Sequence, residues 1–435
     1  MLREQRPRCR SCAHATIGAP TSTLCSNCSE PRIMDDGVAV TLIDALIADG
    51  LAGQGEHDLV DGLCRRLVAA GIPLTRAVAG SDVLHPEYES RLVRWHRGEG
   101  IERRELRREI DPDDSGDWRR DPFSRLFESR MPRFRQRLGS DLPPGEYPVL
   151  DNIKQLGSTD YTAFFVPLGG ISAFGSVNHV MFSWAIDRPE GFSDAELRLL
   201  ERIAPTFALV FAGAAHVDIA RHLMSLYLGG DAANRVLSGQ VERGRAETIR
   251  AVIWYSDLAD FTRIADEVER DQLLALLNDY AECLVDVVTD HGGHVLKFIG
   301  DGLLAIFPDE DATRASARAL DATAAAERRI AVLSERRARQ AQRITDFYLA
   351  LHQGELLYGN FGSRRRLDFT VLGPAVNEAS RIVALCRSLD QRVIVSSAFA
   401  EATGPRRSTL VSLGRYALRG VTRPQELFTI DRTQS

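Results

Sequence analysis

Two aspartates stand where metal and phosphate chemistry could be done. Asp257 follows a short apolar run rich in β formers, Ala251-Val-Ile-Trp-Tyr255, and one serine, Ser256. A buried strand that delivers a carboxylate at its carboxyl end is where α/β sheets place their chemistry. Asp301 lies in Gly300-Asp301-Gly302, between the β runs Val295–Ile299 and Leu303–Phe307. The glycines permit the positive φ of a tight hairpin, which puts Asp301 at a tip free to reach across to Asp257. After Asp257, the pair Asp260 and Thr262 opens a helix, and the turn before it offers free backbone N–H groups and the positive end of a helix dipole. Two carboxylates from separate strand ends, beside such a turn, suit Mg²⁺ and nucleotide phosphates. A blander reading, in which Asp257 caps a helix and Asp301 makes a turn, accounts for each residue singly. It does not account for Lys297, four residues before Asp301. The chain holds 54 basic residues, of which 52 are arginine and only Lys154 and Lys297 are lysine. A slot shaped for a compact ammonium rejects a planar guanidinium, so a lysine here invites a reason.

The elements that must hold these residues are legible in the patterning. Behind Asp260, Leu273, Leu276, Leu277, Tyr280, Leu284 and Val288 share one helical face. Residues 312–343, rich in alanine and arginine, read as a long surface helix, and Arg364-Arg365-Arg366 as an exposed hairpin turn. Upstream, Val40–Asp49 and His57–Ala70 have helical periodicity, and Tyr161–Leu168 and His179–Ile186 read as strands. Residues 101–137 hold eleven arginines and nine acids, a charge-mixed loop and helix surface rather than a nucleic-acid groove. Ser193-Asp-Ala-Glu196 is a capping box that opens a helix running to about Leu228. At the start of the chain, Cys9, Cys12, Cys25 and Cys28 form two Cys-x-x-Cys pairs. Two readings stand: a structural Zn²⁺ site, or spurious translation upstream of Met34.

Three segments, "YSDLADFT", "LKFIGDGLLAIF" and "DFTVLGPAVNEASR", together resemble the catalytic domain of class III nucleotidyl cyclases over residues 247–432. The resemblance implies an α/β (α+β) domain with a ferredoxin-like βαββαβ core. It implies metal binding at Asp257, Leu258 and Asp301, by two Mg²⁺ or Mn²⁺ ions. Purine reading falls to Lys297 and Thr370, transition-state stabilisation to Asn377 and Arg381, and pyrophosphate contact to Arg419. Adenine offers N1 as acceptor and the N6 amino group as donor, which an ammonium and a hydroxyl can meet. Guanine presents a protonated N1 and would want an acid where Lys297 stands. The resemblance therefore implies an adenylate cyclase acting on ATP in signal transduction, as a homodimer whose sites are shared between protomers. Residues 36–213, ending in "GFSDAELRLLERIAP", resemble a GAF-like sensor domain for an unidentified small-molecule or protein signal, with residues 214–246 as a helical linker.

Composition limits the alternatives. A net charge of −6 argues against a protein built mainly to bind nucleic acid or anionic membrane. The most apolar stretch, Thr206–Ala215, is shorter than a membrane span, and no leader pattern opens the chain, so the expected setting is cytoplasmic. The competing readings are a guanylate cyclase, and a catalytically inactive cyclase-like regulator with a zinc-dependent nucleic-acid-binding amino terminus.

Overall fold

The computed structural model describes residues 36–107, 118–139, 145–169, 178–421 and 423–431. Cys9, Cys12, Cys25 and Cys28, the possible zinc ligands, lie outside the described residues, as does the Met34 start. The chain divides into two units, residues 1–215 and 216–435.

The first unit opens with helices α1 (Asp36–Leu51) and α2 (Glu56–Ala69). Strands β1 (Leu74–Asp82), β2 (Tyr88–His96) and β3 (Gly100–Arg107) follow. Then come α3 (Pro122–Ser129), β4 (Arg133–Arg137), α4 (Pro148–Gln155), β5 (Asp160–Pro167) and β6 (His179–Ile186). The six strands form one antiparallel sheet in the order β3-β2-β1-β6-β5-β4. Residues 101–137, expected as loop and helix surface, contribute β3 and β4 as well as α3. β3 is an edge strand, and charged side chains suit an edge because they discourage pairing with another chain. One sheet face buries Val78, Tyr161, Ala163 and Phe165 against Phe123 and Leu126 of α3 and Leu150 and Ile153 of α4.

Helix α5 (Asp194–Leu228) runs through the division between the units. Its capping box is formed: Ser193 N donates to Glu196 Oε2 at 2.7 Å, and Glu196 N to Ser193 Oγ at 3.2 Å. Within the first unit Phe207 stacks edge-on against Phe182 of β6. The apolar stretch read as too short for a membrane belongs to this 35-residue helix. Among the described residues it is the one helix long and apolar enough to cross a membrane by length and composition.

In the second unit a short helix, α6 (Gly230–Leu237), precedes β7 (Ala246–Leu258). Then follow α7 (Phe261–Glu267), α8 (Arg270–Asp290), β8 (His294–Ile299), β9 (Gly302–Pro308) and α9 (Ala312–Arg339). The remaining elements are β10 (Phe347–Gly362), β11 (Leu367–Leu372), α10 (Pro374–Cys386), β12 (Val393–Ser396), α11 (Ser397–Ala402), β13 (Leu410–Tyr416) and β14 (Gln425–Ile430). The sheet order is β13-β14-β12-β10-β7-β9-β8, with β11 hairpinned onto β10. Its centre, β10-β7-β9-β8 with α8 and α9 as crossovers, has the expected βαββαβ order. One face packs Trp254, Phe307 and Phe347 against Leu284 and Val288 of α8 and Ala319 and Ile330 of α9. The other packs Ile253, Leu296 and Tyr358 against Ala232 of α6 and Ala379 of α10.

The stretch expected as linker is therefore helical through residue 237, and its second helix belongs to a core. Gly229, at φ 84°, lies so close to β8 that a Cβ there would meet Val295 O at 2.4 Å. Asp231 accepts from Tyr358 Oη of β10 and from Arg235 Nε, each at 2.8 Å.

Candidate active site

Strand β7 carries the first acid outward from the core. Ser256 is fully buried, and Asp257 follows it opposite Tyr348 of β10. The β8–β9 hairpin carries the second: Gly300, at φ 64°, turns the chain, and Asp301 stands at the tip. Gly302 lets the hairpin close on β7, since a Cβ there would come within 2.7 Å of Ser256 O. Asp301 accepts a hydrogen bond from Leu258 N at 3.2 Å. Burial first, then a shared hydrogen bond with Asp301 and that group's like charge, push the Asp257 carboxyl up to about 6. Tyr280, buried on α8, donates to Asp257 O at 3.5 Å, and burial raises its hydroxyl pKa. Two hard-oxygen acids this close, one reluctant to ionise beside the other, form a donor set that a divalent cation would relieve. Among the described residues no group of three or more His, Cys, Asp or Glu side chains converges on a metal position.

The helix expected to start at Asp260 and Thr262 does begin there, in a different manner. Asp260 takes a left-handed conformation, φ 58°, and its side chain caps nothing. Its carboxylate instead meets Arg263 at 3.2 Å and Arg387, the residue after α10, at 3.4 Å. The helix then breaks after Glu267 and resumes as α8.

Lys297 and Thr370 come from β8 and β11. Lys297 Nζ lies 3.5 Å from Asp368 Oδ2. Asp368 and Thr370, two apart on one strand, point to the same face. Thr370 is only 4% exposed, and its Oγ1 has no hydrogen-bond partner among the described residues. Asp368 was not singled out in the sequence, although strand alternation from Thr370 was enough to find it.

Asn377 and Arg381 sit one turn apart on α10 and line a cleft with Gly373, Pro374, Gly420 and Arg423. The Arg381 guanidinium lies against Gly420, where a Cβ would be 3.2 Å from Nη1. Arg419 is the exposed residue before Gly420, and Arg423 is a second basic residue of this cleft that sequence reasoning passed over. A separate cleft, lined by Asp301, Gly300, Phe298, Leu277 and Tyr280, contains neither Asn377 nor Arg381. Asp301 thus lines one cleft, and Asn377 and Arg381 another.

A family model described as the adenylate and guanylate cyclase catalytic domain matches residues 245–431. An adenylate cyclase of Anabaena cylindrica is 28% identical over 160 residues, which is 36% of this chain and 31% of that one. The terminal-differentiation-specific adenylate cyclase of Dictyostelium discoideum is 32% identical over 152 residues, 35% of this chain and 7% of its own length. An uncharacterized protein of Mycobacterium tuberculosis is 30% identical over 244 residues, covering 54% of this chain and 42% of that one. The chain thus spans less than half the length of these curated relatives. Among solved structures, the adenylyl cyclase CyaB of P. aeruginosa aligns over 43% of this chain and 95% of its own, with TM-score 0.39 and 23% identity. The guanylyl cyclase Cya2 aligns over 42% and 93%, with TM-score 0.37 and 26% identity.

Proposed function

We propose that this chain, whose residues 245–431 match the adenylate and guanylate cyclase catalytic domain, converts ATP to 3′,5′-cyclic AMP and pyrophosphate, for intracellular signalling from the cytoplasm. The observation that carries the reading is the convergence of Asp257 and Asp301, from a strand end and a hairpin tip, with the Asp257 carboxyl raised to about 6. Asp257 and Asp301, with the Leu258 backbone between them, would hold the Mg²⁺ or Mn²⁺. When bound, the metal would make the ribose 3′-hydroxyl a better nucleophile and neutralise phosphate charge. Arg381 would clamp the α-phosphate oxygens through its guanidinium fork, and Asn377, one turn earlier, would orient the ribose. Arg419, together with Arg423 of the Arg381 cleft, would meet the pyrophosphate. Charge builds on the departing phosphates, so these fixed donors act chiefly by position and electrostatics.

Since Asp301 and Arg381 line different clefts, a working site is assembled from two copies of the chain. A twofold homodimer supplies both combinations at once.

Lys297 and Thr370 favour adenine. The half-buried ammonium would donate to N1, and the unpartnered Thr370 hydroxyl would accept from the N6 amino group. Assay with ATP and with GTP, each with Mg²⁺ and Mn²⁺, separates this from the guanylate reading; cyclic GMP as the main product would overturn it. Lys297→Arg keeps the charge and can keep the pairing with Asp368, yet crowds the purine. Its kcat/KM for ATP is expected to fall at least about tenfold with an unchanged melting temperature.

Metal binding should follow the Asp257 proton. A carboxyl raised to about 6 must ionise to serve as a ligand. The rise in melting temperature caused by Mg²⁺ is thus expected to be larger at pH 7.5 than at pH 5.5. An equal rise at both would detach the ion from this pair.

A further inference from the structure

We propose that Arg76, Arg94 and His96 form an oxyanion site in the first unit, which takes the carboxylate or phosphate group of a small molecule. The three residues share one face of the sheet. Arg76 of β1 is directly opposite His96 of β2 and Ala185 of β6, and Ala185 is opposite Tyr161 of β5. In the adjoining row Arg94 is opposite Val78, which is opposite Ser183. This is the apolar face covered by α3 and α4, so the cations sit at the margin of a core.

The unit pairs its other buried or half-buried arginines with acids. Arg66 is 2.6 Å from Asp49, Arg91 is 3.3 Å from Glu56, and Arg135 is 2.7 Å from Asp160. Arg76 stands apart from them. It is half-buried, and among the described residues its guanidinium makes no hydrogen bond or ion pair. The groups acting on it electrostatically are Tyr161, a second arginine, Arg94, and the carboxylate of Asp121. Asp121 is engaged elsewhere, accepting from Phe123 N at 2.8 Å as the cap of α3. Arg94 reaches Glu102 only at 3.7 Å, and its Nε is buried without a partner. Burial and the charge of Arg76 hold His96 toward its neutral form, leaving a ring able to donate one hydrogen bond. Beside the cations, the buried Tyr161 hydroxyl pairs with Ser183.

A desolvated, unpaired guanidinium is costly to keep, and an anion is the group that offsets the cost. The planar fork of Arg76 matches a carboxylate or phosphate edge through two parallel N–H donors. The buried Arg94 Nε supplies a further donor without a protein acceptor. Val78, Ala163 and Ala185 of the same face are themselves buried in the core, so the ligand is recognised by its charged group, a carboxylate or a phosphate.

The test uses the full chain in chloride buffer at constant ionic strength, titrated calorimetrically with inorganic phosphate and separately with succinate. At least one of the two is expected to bind saturably, and which one binds identifies the oxyanion. Arg76→Gln should weaken that binding at least about tenfold, and Arg381→Ala should leave it unchanged. No saturable binding of either probe, or equal binding by Arg76→Gln, overturns the site. So does loss of binding in Arg381→Ala, because it would move the anion to the catalytic unit. A stability measurement guards against a misfolded variant. In chloride alone, Arg76→Gln should melt no lower than the unsubstituted protein, since it removes an unpaired charge. A lower melting temperature would mean that Arg76 has a structural partner within the protein, and would overturn the proposal.

Discussion

Asp257→Asn is expected to abolish cyclic nucleotide formation, by about a thousandfold or more, while making the metal-free protein more resistant to heat. The first effect follows from charge. The substitution keeps size and shape but removes one of the two carboxylates that would hold the metal, and stabilisation of developing phosphate charge is the largest part of this chemistry. The second follows from the environment of Asp257, whose carboxyl is raised to about 6 by burial and by Asp301. A group whose folded pKa lies above its unfolded value of 3.8 binds its proton more tightly in the folded state. Its contribution to stability is full below about pH 4 and is lost as pH rises through 6. Asparagine carries no such loss. The variant should melt near the unsubstituted protein at pH 4 and above it at pH 7.5 without metal. Measured rate and melting curves would separate this from unfolding. An inactive variant that melts lower at pH 7.5 would mean that Asp257 is a structural residue.

Asp257→Ala and Arg381→Ala should each be inactive alone, yet together recover about a quarter of full activity on equal co-expression. Half of randomly assembled dimers are then mixed, and each mixed dimer has one intact site and one doubly damaged site. The ground for this is the separation of the Asp301 cleft from the cleft lined by Asn377 and Arg381. Activity assays on the purified mixture decide it. Absence of recovery in dimers shown to be mixed would sink the shared site.

Much of this was visible in residue pattern because the pattern coincided with burial. The Ser193–Glu196 box needs only local geometry, and the Gly300-Asp301-Gly302 turn needs only permissive residues. Where tertiary packing overrides local signals, the sequence misleads. β3 carries charge at five of its eight residues, so that its partnership with β2 is invisible until the sheet exists. Asp260 looks like a helix cap by type, but its left-handed backbone turns the carboxylate toward Arg263 and Arg387. Asp368 lay within reach of strand alternation from Thr370, but its pairing with Lys297 arises only where β8 and β11 adjoin. Arg76 looked like one arginine among 52, since an unpaired charge is defined by its surroundings.

The short helix α6 has a practical consequence for dissecting the chain. A fragment cut at Glu247, where the cyclase resemblance begins, would discard Ala232 from the face that covers Ile253, Leu296 and Tyr358. It would also strip the Tyr358 hydroxyl of the carboxylate that accepts its hydrogen bond and leave β8 without the close backbone approach of Gly229. The smallest piece that keeps its own lining therefore starts upstream of Gly229, inside the long helix. A shorter fragment that loses activity would report a damaged core as readily as a missing regulator.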